Sequence, residues 1–346
     1  MSQQHQRVLV AGGAGFIGSH IVDKLLEIGM EVTVLDNFST GQIENLEQHK
    51  RNKSLHLIKG DIRNTKQVKA SVKDVDVVFN DAAAVSVRLS IDNPLLVNEV
   101  NVKGALNLLK ASADSDVKRF VQASSASVYG DAETLPITED TLFKPISPYA
   151  VSELAAESYA IAFNKAYGLQ TVCLRYFNVY GPRQSYNPYT GAITLFINQL
   201  LSNQSVTIFG DGEQTRDFVY VEDVASANML ALTRKEAVGE VFNIATGAAT
   251  SVNTLIKTLV KIIGRTRAKP LHTKPKLGEI KHSVASIEKA RSILGYRPTF
   301  AIDSGLGHLV KWYTSKPIHS SQGKNDRCNG KCLKRLEKND KPSRSG

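Results

Sequence analysis

The sequence of 346 residues predicts an α/β fold, in which a doubly wound parallel sheet carries a smaller C-terminal lobe. Short apolar runs alternate with helical patterns along the first half of the chain, which is typical of parallel sheets. A glycine-rich turn joins the first strand to the first helix. After Tyr180, prolines, glycines and polar residues interrupt the alternation, which indicates the second lobe.

The elements of the predicted sheet follow one another at short intervals. The first helix carries apolar residues at helical spacing and ends at Gly29, a residue type that commonly terminates helices. The later strands are short apolar runs separated by longer helical segments. The predicted strands are 7–11, 31–36, 55–60, 75–80, 119–123 and 171–177, and the predicted helices are 16–28, 94–112 and 149–167.

The second half of the chain mixes helices with loops. We expect the chain to pass between the two lobes more than once, so the boundary between them is not a single cut. The expected helices are 192–201, 223–233 and 252–263, and the expected strand is 241–245. The expected division is 1–180 with a return segment at 217–245 for the sheet domain, and 181–216 with 246–317 for the smaller lobe.

Composition excludes several classes of protein. The chain is 42% hydrophobic and 22% charged, which is ordinary for a globular protein. No apolar run approaches the roughly 20 residues of a membrane helix, and the polar N-terminus lacks the apolar core of a signal peptide. Three cysteines are too few for a disulfide scaffold, so we expect a cytoplasmic protein.

The C-terminal segment 318–346 is strongly basic. It holds eight Lys or Arg against three Asp or Glu, so it carries +5 of the chain's net charge of +10. It shows no periodicity, and we expect a solvated, disordered tail rather than a nucleic-acid-binding segment. Cys328 and Cys332 lie in this tail, and without a second pair we interpret them as a chance pairing rather than a metal site.

The glycine-rich turn predicts a dinucleotide site. Gly12, Gly15 and Gly18 allow the backbone to turn sharply, approach a pyrophosphate and pack the helix on the sheet. The helix begins at Phe16 and Ile17, whose amides and dipole favour an anion.

An acidic residue at the end of the second strand selects the nucleotide. Asp36 stands eighteen residues after Gly18, where a carboxylate accepts both ribose hydroxyls and repels a 2′-phosphate. This position, with the adjacent Asn37, favours NAD over NADP. Asp61 and Ile62, after the third strand, are candidates for the adenine side, although Asp61 fits a helix N-cap equally well.

Small residues follow the fourth strand. Ala82, Ala83 and Ala84 would allow the cofactor to pass closely, although alanine runs are also common in plain packing. We include them among the candidate cofactor contacts.

These motifs resemble the extended short-chain dehydrogenase/reductase family over roughly residues 7–313. The glycine spacing is the family's own, and Asn101 begins a segment similar to its Asn-x-x-Gly on the fourth helix. Ser125 lies in a segment similar to the family's Ser/Thr segment, and Tyr149 corresponds to its catalytic tyrosine. The resemblance implies a Rossmann-type sheet, bound NAD with contacts from Asn101 and Tyr176, and a smaller lobe that binds substrate.

Within the family, the chain is most similar to UDP-glucose and UDP-N-acetylglucosamine 4-epimerases. The related 4,6-dehydratases place Asp-Glu after the catalytic Ser/Thr, whereas Ala126 and Ser127 stand here and cannot transfer protons in that way. The implied reaction is NAD-dependent C4 epimerisation of a UDP-hexose through a transient 4-keto intermediate. The family also implies a homodimer through helices 94–112 and 149–167.

The resemblance also implies a set of substrate contacts beside Ser125 and Tyr149. Asn178 and Arg216 match the family's pattern, although Arg216 would also fit a salt bridge with a nearby aspartate, Asp217 or Asp223. Lys276 and Glu279 stand where the family commonly has Arg and Asp. Lys gives a point charge where Arg binds phosphate with two hydrogen bonds.

One residue departs from the family's catalytic motif. Glu153 stands four residues after Tyr149, where the family has a lysine that lowers the tyrosine pKa and holds the nicotinamide ribose. An ionised Glu153 one helical turn away would raise that pKa instead, although it could still accept a ribose hydroxyl. Three functions stay open: a 4-epimerase, a non-catalytic protein that binds NAD and sugar nucleotide, and another sugar-nucleotide oxidoreductase.

Overall fold

The computed structural model describes residues 6–185, 191–264, 270–275 and 280–315. Its strands are β1 (Arg7–Ala11), β2 (Glu31–Asp36), β3 (Leu55–Lys59), β4 (Val77–Asn80), β5 (Arg119–Ser125), β6 (Thr171–Tyr176), β7 (Asn178–Tyr180), β8 (Thr207–Phe209), β9 (Thr215–Tyr220), β10 (Val241–Ile244), β11 (Ala249–Ser251), β12 (Leu271–Thr273) and β13 (His282–Ser283). Its α-helices are α1 (Phe16–Glu27), α2 (Thr65–Ser71), α3 (Val87–Asp92), α4 (Pro94–Asn98), α5 (Ala105–Asp114), α6 (Pro148–Tyr167), α7 (Ala192–Leu201), α8 (Val221–Thr233), α9 (Val252–Ile263) and α10 (Ile302–Ser315).

Seven of the described strands form the central parallel sheet, in the order β10-β6-β5-β4-β1-β2-β3. The strand order reverses beside β1, which pairs with β2 on one side and with β4 on the other. In such sheets, the crevice at the carboxyl ends of the two strands beside the reversal is where ligands bind. The predicted α/β class and parallel sheet are confirmed.

Helices cover both faces of this sheet, as its strongly buried strands require. One apolar core contains residues of α1 and α8, and a second core on the other side contains residues of α2, α5 and α6. The helix α6 is well delimited, because the Ser147 side chain accepts a hydrogen bond from the Ala150 amide and Gly168 ends the helix in a left-handed conformation.

The helix predicted over 94–112 is not uniform. It runs as α4, a π-helical segment at Glu99–Gly104 and then α5, and the preceding α3 was absent from the prediction. The π-helical segment contains Asn101, a candidate site residue. Such segments often occur at functional sites.

The smaller lobe is built on β9, which pairs with β11, β13 and β7. Its apolar core lies between this small sheet and α7, α9 and α10. The helices α7 and α9 have the bounds that the sequence predicts. No helix within the described ranges is both long and apolar enough to cross a membrane. The basic tail 318–346, with Cys328 and Cys332, and the candidates Lys276 and Glu279 lie outside the described residues.

Candidate functional site

The glycine turn lies at the carboxyl edge of the central sheet, where the strand order reverses. Gly12 has a φ of 79°, and a Cβ there would lie 2.7 Å from the Ala82 amide nitrogen. A Cβ on Gly18 would collide with the carbonyl of Gly12. Gly15 is the N-cap of α1 and brings no side-chain acceptor, so the first-turn amides remain uncapped. This narrow cradle fits a dinucleotide pyrophosphate.

Asp36 lies beside the turn with its carboxylate fixed. Its Oδ2 accepts a hydrogen bond from the Ala14 amide at 3.0 Å, and its Oδ1 accepts one from the Phe38 amide at 2.8 Å. Burial raises the pKa of Asp36, and these two hydrogen bonds oppose the rise. Each oxygen retains acceptor capacity for a ribose hydroxyl.

Asp61 and Asn37 form a second polar group at this edge. Asn37 Nδ2 donates to Asp61 Oδ2 at 3.0 Å, and Arg63 donates to both oxygens of the same carboxylate. Burial acts to raise the pKa of Asp61, but hydrogen bonds from Arg63 and Asn37 hold it below its usual value. The N-cap alternative for Asp61 is wrong, because Asn64 caps α2.

The alanines after β4 are held by Asn101. The Ala84 amide donates to Asn101 Oδ1 at 2.7 Å, and Asn101 Nδ2 donates to Glu153 Oε1 at 3.1 Å. The π-helical segment therefore ties the loop of Ala82 and Ala83 to α6. The neighbouring Ile62 is buried and its side chain packs against Gly104, behind the same segment.

Ser125 and Tyr149 meet at the carboxyl end of β5. Tyr149 lies in the first turn of α6, close to Ser125. Burial raises the Tyr149 pKa well above its ordinary value, the charge of Glu153 adds to the rise, and the Ser125 hydroxyl opposes it. A serine beside a tyrosine can share a proton with a substrate hydroxyl.

Glu153 lies beneath Tyr149 and is only 7% exposed, so it is not a surface helix residue. Burial raises the pKa of Glu153 to about 8, and the charge of Glu157 contributes next. Glu157 binds Arg175 through two hydrogen bonds of 2.6 and 2.9 Å, and it also accepts one from Ser124 at 2.7 Å. The sequence reasoning missed this buried pair.

Tyr176 ends β6 and lies beside an acid that the sequence reasoning missed. Asn228 Nδ2 donates to the Tyr176 hydroxyl at 2.9 Å, and Asp81 lies near that hydroxyl. Burial raises the pKa of Asp81 to about 7, while the Tyr176 hydroxyl opposes the rise. The signal available in the sequence was an acid directly before Ala82, at the edge where ligands bind.

Asn178 and Arg216 lie on neighbouring strands of the smaller lobe. Asn178 Nδ2 donates to the carbonyl of Asp217 at 3.2 Å, and Arg216 Nη1 donates to the carbonyl of Thr215 at 2.8 Å. Since Arg216 and Asp217 are successive residues of β9, their side chains point to opposite faces. The Asp217 carboxylate accepts hydrogen bonds from Thr246, Gly247 and Ala285, and that of Asp223 from Thr299 and Phe300.

A further polar cluster joins α1 to the segment after β7. Arg183 Nη2 lies 2.7 Å from Asp23 Oδ2, and His20 Nε2 lies 3.2 Å from the carbonyl of Pro182. Burial, and then the charge of Arg183, lowers the pKa of His20 to about 4. The cluster anchors the chain where it leaves the smaller sheet.

Known proteins share this architecture over their full length. UDP-glucose 4-epimerase of Mycolicibacterium smegmatis is 36% identical over 313 residues, which cover 90% of this chain and 99% of that protein. A structure of UDP-N-acetylglucosamine 4-epimerase from Methanobrevibacter ruminantium, with UDP-N-acetylmuramic acid, has a TM-score of 0.86 and 37% identity. The match covers 90% of this chain and 99% of the chain in that structure.

The cofactor follows from the same comparisons. The structure of Thermus thermophilus UDP-glucose 4-epimerase was solved with NAD, and it has a TM-score of 0.82 and 34% identity, covering 90% of this chain and 100% of its own. The model of the family described as "NAD dependent epimerase/dehydratase" matches residues 8–245. NAD is accordingly the cofactor, and it fits the cradle at Gly12. The chain belongs to the NAD-dependent epimerase/dehydratase family.

Proposed function

We propose that the protein epimerises a UDP-hexose at C4 through a transient 4-keto intermediate. The observation that carries the proposal is the proximity of Ser125 and Tyr149, at the end of β5 and the start of α6. The relatives named as UDP-glucose and UDP-N-acetylglucosamine 4-epimerases support it. Ala126 and Ser127 follow Ser125, so the acid and base of a dehydratase are absent from those two positions.

In this reaction Tyr149 removes the proton from the 4-hydroxyl, and the nearby Ser125 hydroxyl favours the phenolate form that accepts it. Bound NAD supplies reversible acceptance of the C4 hydrogen, so the cofactor is not consumed. Tyr149 returns the proton to O4 after the 4-keto sugar has rotated in the pocket and presents its opposite face. The burial that raises the Tyr149 pKa makes it a strong base once it has been ionised.

The cofactor contacts follow the geometry of the sheet edge. The turn at Gly12, Gly15 and Gly18 and the first amides of α1 would hold the pyrophosphate. Asp36 would accept the adenosine ribose hydroxyls, which disfavours NADP because a 2′-phosphate would face a carboxylate. Asn101 would fix the loop along which the nicotinamide half passes.

The smaller lobe would hold the nucleotide of the substrate. Asn178 lies on β7 and Arg216 on β9, and these two strands pair with each other. An Arg that faces a diphosphate offers several donors in a fixed geometry. Lys276 and Glu279 stay predictions for the same end of the substrate.

The experiment is an equilibrium assay with two candidate substrates. Purified protein supplied with NAD is incubated with UDP-galactose or UDP-N-acetylgalactosamine, and proton NMR follows the sugar H1 and H4 signals. We expect the C4 epimer of at least one substrate to appear, and a slower reaction when NADP replaces NAD.

The second candidate function is a protein that binds NAD and a sugar nucleotide without turnover. Glu153, in place of a lysine, is the observation that favours it, since no cation then lowers the Tyr149 pKa from that position. Calorimetry distinguishes the candidates. Binding of both ligands without any epimer would contradict the enzyme and support this alternative.

The proposed assembly is a homodimer through α5 and α6. A shallow apolar hollow between these helices is lined by Leu106, Tyr159, Phe163 and Tyr167. Tyr167 is 56% exposed and stacks on Phe163 at this hollow. A second copy of the same face would cover the hollow. Sedimentation velocity should give a dimer, and a monomer at micromolar concentrations would contradict the assembly.

A further inference from the structure

We propose that Glu153 is protonated in the working protein and donates a hydrogen bond to an oxygen of the bound dinucleotide. The inference rests on the proposed function only for the position of the cofactor beside Tyr149. It gives Glu153 a role as a hydrogen-bond donor. An ionised Glu153 could not fill this role, because a carboxylate accepts hydrogen bonds but cannot donate them.

The first argument is the arrangement of charge along α6. Glu153 is 7% exposed, and Glu157 lies one turn further along the helix with 1% exposure. Arg175 is the cation that pairs with Glu157, to which its Nε and Nη2 donate. Its Nη1 donates to the Tyr129 hydroxyl and to the carbonyl of Glu139. Arg175 therefore neutralises Glu157, and among the described residues no ion pair balances a second buried anion at Glu153.

The second argument is the orientation of Asn101. The Ala84 amide can only donate, so the atom that it contacts at 2.7 Å must be the Asn101 carbonyl oxygen. The Asn101 amide nitrogen then faces Glu153 Oε1 at 3.1 Å and donates to it. Oε1 is thus fixed as an acceptor, which leaves Oε2 as the atom that carries the proton.

The third argument is the surroundings of Oε2. Among the described residues Oε2 has no hydrogen-bond partner, and it is not one of the fully enclosed polar atoms that lack a partner, so it keeps some exposure to solvent. Asn101 holds the other oxygen of the same carboxyl group beside the Ala84 amide, at the loop that follows β4. A hydroxyl group at that position suits a ribose or carboxamide oxygen of the dinucleotide.

Within the described residues, the titratable groups of the elements around α6 form no ion pair with Glu153. Exposed ion pairs on these elements are Arg88–Asp92, Glu99–Lys103 and Lys110–Asp114, and Arg119 lies at the other end of β5. Further titratable groups there are Asp81, Tyr129, Tyr149, Cys173, Arg175 and Tyr176. The raised pKa of Glu153, to about 8, agrees with this arrangement.

The test measures NAD affinity against pH by calorimetry, and so does not require turnover. Three proteins are compared: the wild type, Glu153→Gln, which keeps a donor but cannot ionise, and Glu153→Met, which has neither. We expect wild-type affinity to fall about tenfold as pH rises through about 8, because the donor becomes an acceptor. Glu153→Gln should bind NAD like the wild type at about pH 6, and its affinity should not fall near pH 8. Any change in affinity near pH 7 that comes from Asp81 should appear in both the wild type and Glu153→Gln.

Glu153→Met should bind about tenfold more weakly than the wild type at about pH 6. Wild-type affinity that is constant through about pH 8, or Glu153→Gln binding as weakly as Glu153→Met, would overturn the proposal. A carbon-13 NMR titration of the glutamate carboxyls gives a second measurement. The Glu153 signal is assigned as the one missing from Glu153→Gln or from Glu153→Met, whichever variant folds. A Glu153 signal that titrates near the ordinary value of about 4.3 would equally overturn it. Absence of epimerisation with the expected affinity profile would instead contradict the proposed function alone.

Discussion

Replacing Glu153 by lysine should raise the rate of epimerisation about tenfold and move its pH optimum downward, whereas Tyr149→Phe should abolish turnover. The working form of Tyr149 is the phenolate, and burial, and then Glu153 whenever it is ionised, raises the Tyr149 pKa. An ammonium one turn away would favour the phenolate, so a larger fraction of the tyrosine would be ionised at a given pH. Each pKa unit corresponds to about 1.4 kcal/mol, or a factor of ten in that fraction.

The measurement is the initial rate against pH at saturating UDP-sugar for the wild type, both single variants and the double variant. Tyr149→Phe should be inert with either residue at position 153, which separates the base from its neighbour. The placement of Glu153 beside the proton-transfer site would be wrong if the wild type turned over quickly at neutral pH and Glu153→Lys slowed it.

Truncation of Glu157 to alanine should lower the free energy of unfolding strongly, because it breaks a buried ion pair. Glu157→Ala leaves the Arg175 guanidinium buried, 2% exposed, without its two carboxylate bonds. Removal of one partner of a buried ion pair costs about 3–5 kcal/mol. The free energy of unfolding, measured in urea, should fall by that amount.

Two matched variants test the cause. The double variant Glu157→Ala with Arg175→Met should lose less than the sum of the single losses, because no unpaired charge remains. Asp114→Ala breaks an exposed pair with Lys110 and should cost less than about 1 kcal/mol. A loss for Glu157→Ala as small as that for Asp114→Ala would contradict the buried pair.

Much of the central sheet could be predicted because its signals are local. The glycine turn needs a fixed spacing, and Asp36 ends a short strand that is rich in β-branched and apolar residues. The helices α7 and α9 match their predicted bounds because their apolar residues recur at helical spacing. The structure places Ser125 near Tyr149 because β5 ends, and α6 begins, at the same edge of the sheet.

The remaining features depend on contacts that are distant in sequence. The strands β7, β8, β11, β12 and β13 contain two or three residues each, which is too short for a periodic signal. Arg175 and Glu157 are eighteen positions apart, and Tyr176 meets Asn228 fifty-two positions away. The π-helical segment around Asn101 also leaves no pattern in the sequence.

The most direct test of the central claim follows the hydrogen at C4. UDP-galactose carrying deuterium at C4 is incubated with the protein in ordinary water, and the product is examined by NMR and mass spectrometry. If the C4 hydrogen is transferred to bound NAD and back within one site, UDP-glucose should form with the deuterium retained at C4. Product that has lost its deuterium to water would contradict the account, and so would the absence of product from protein that binds both NAD and UDP-galactose.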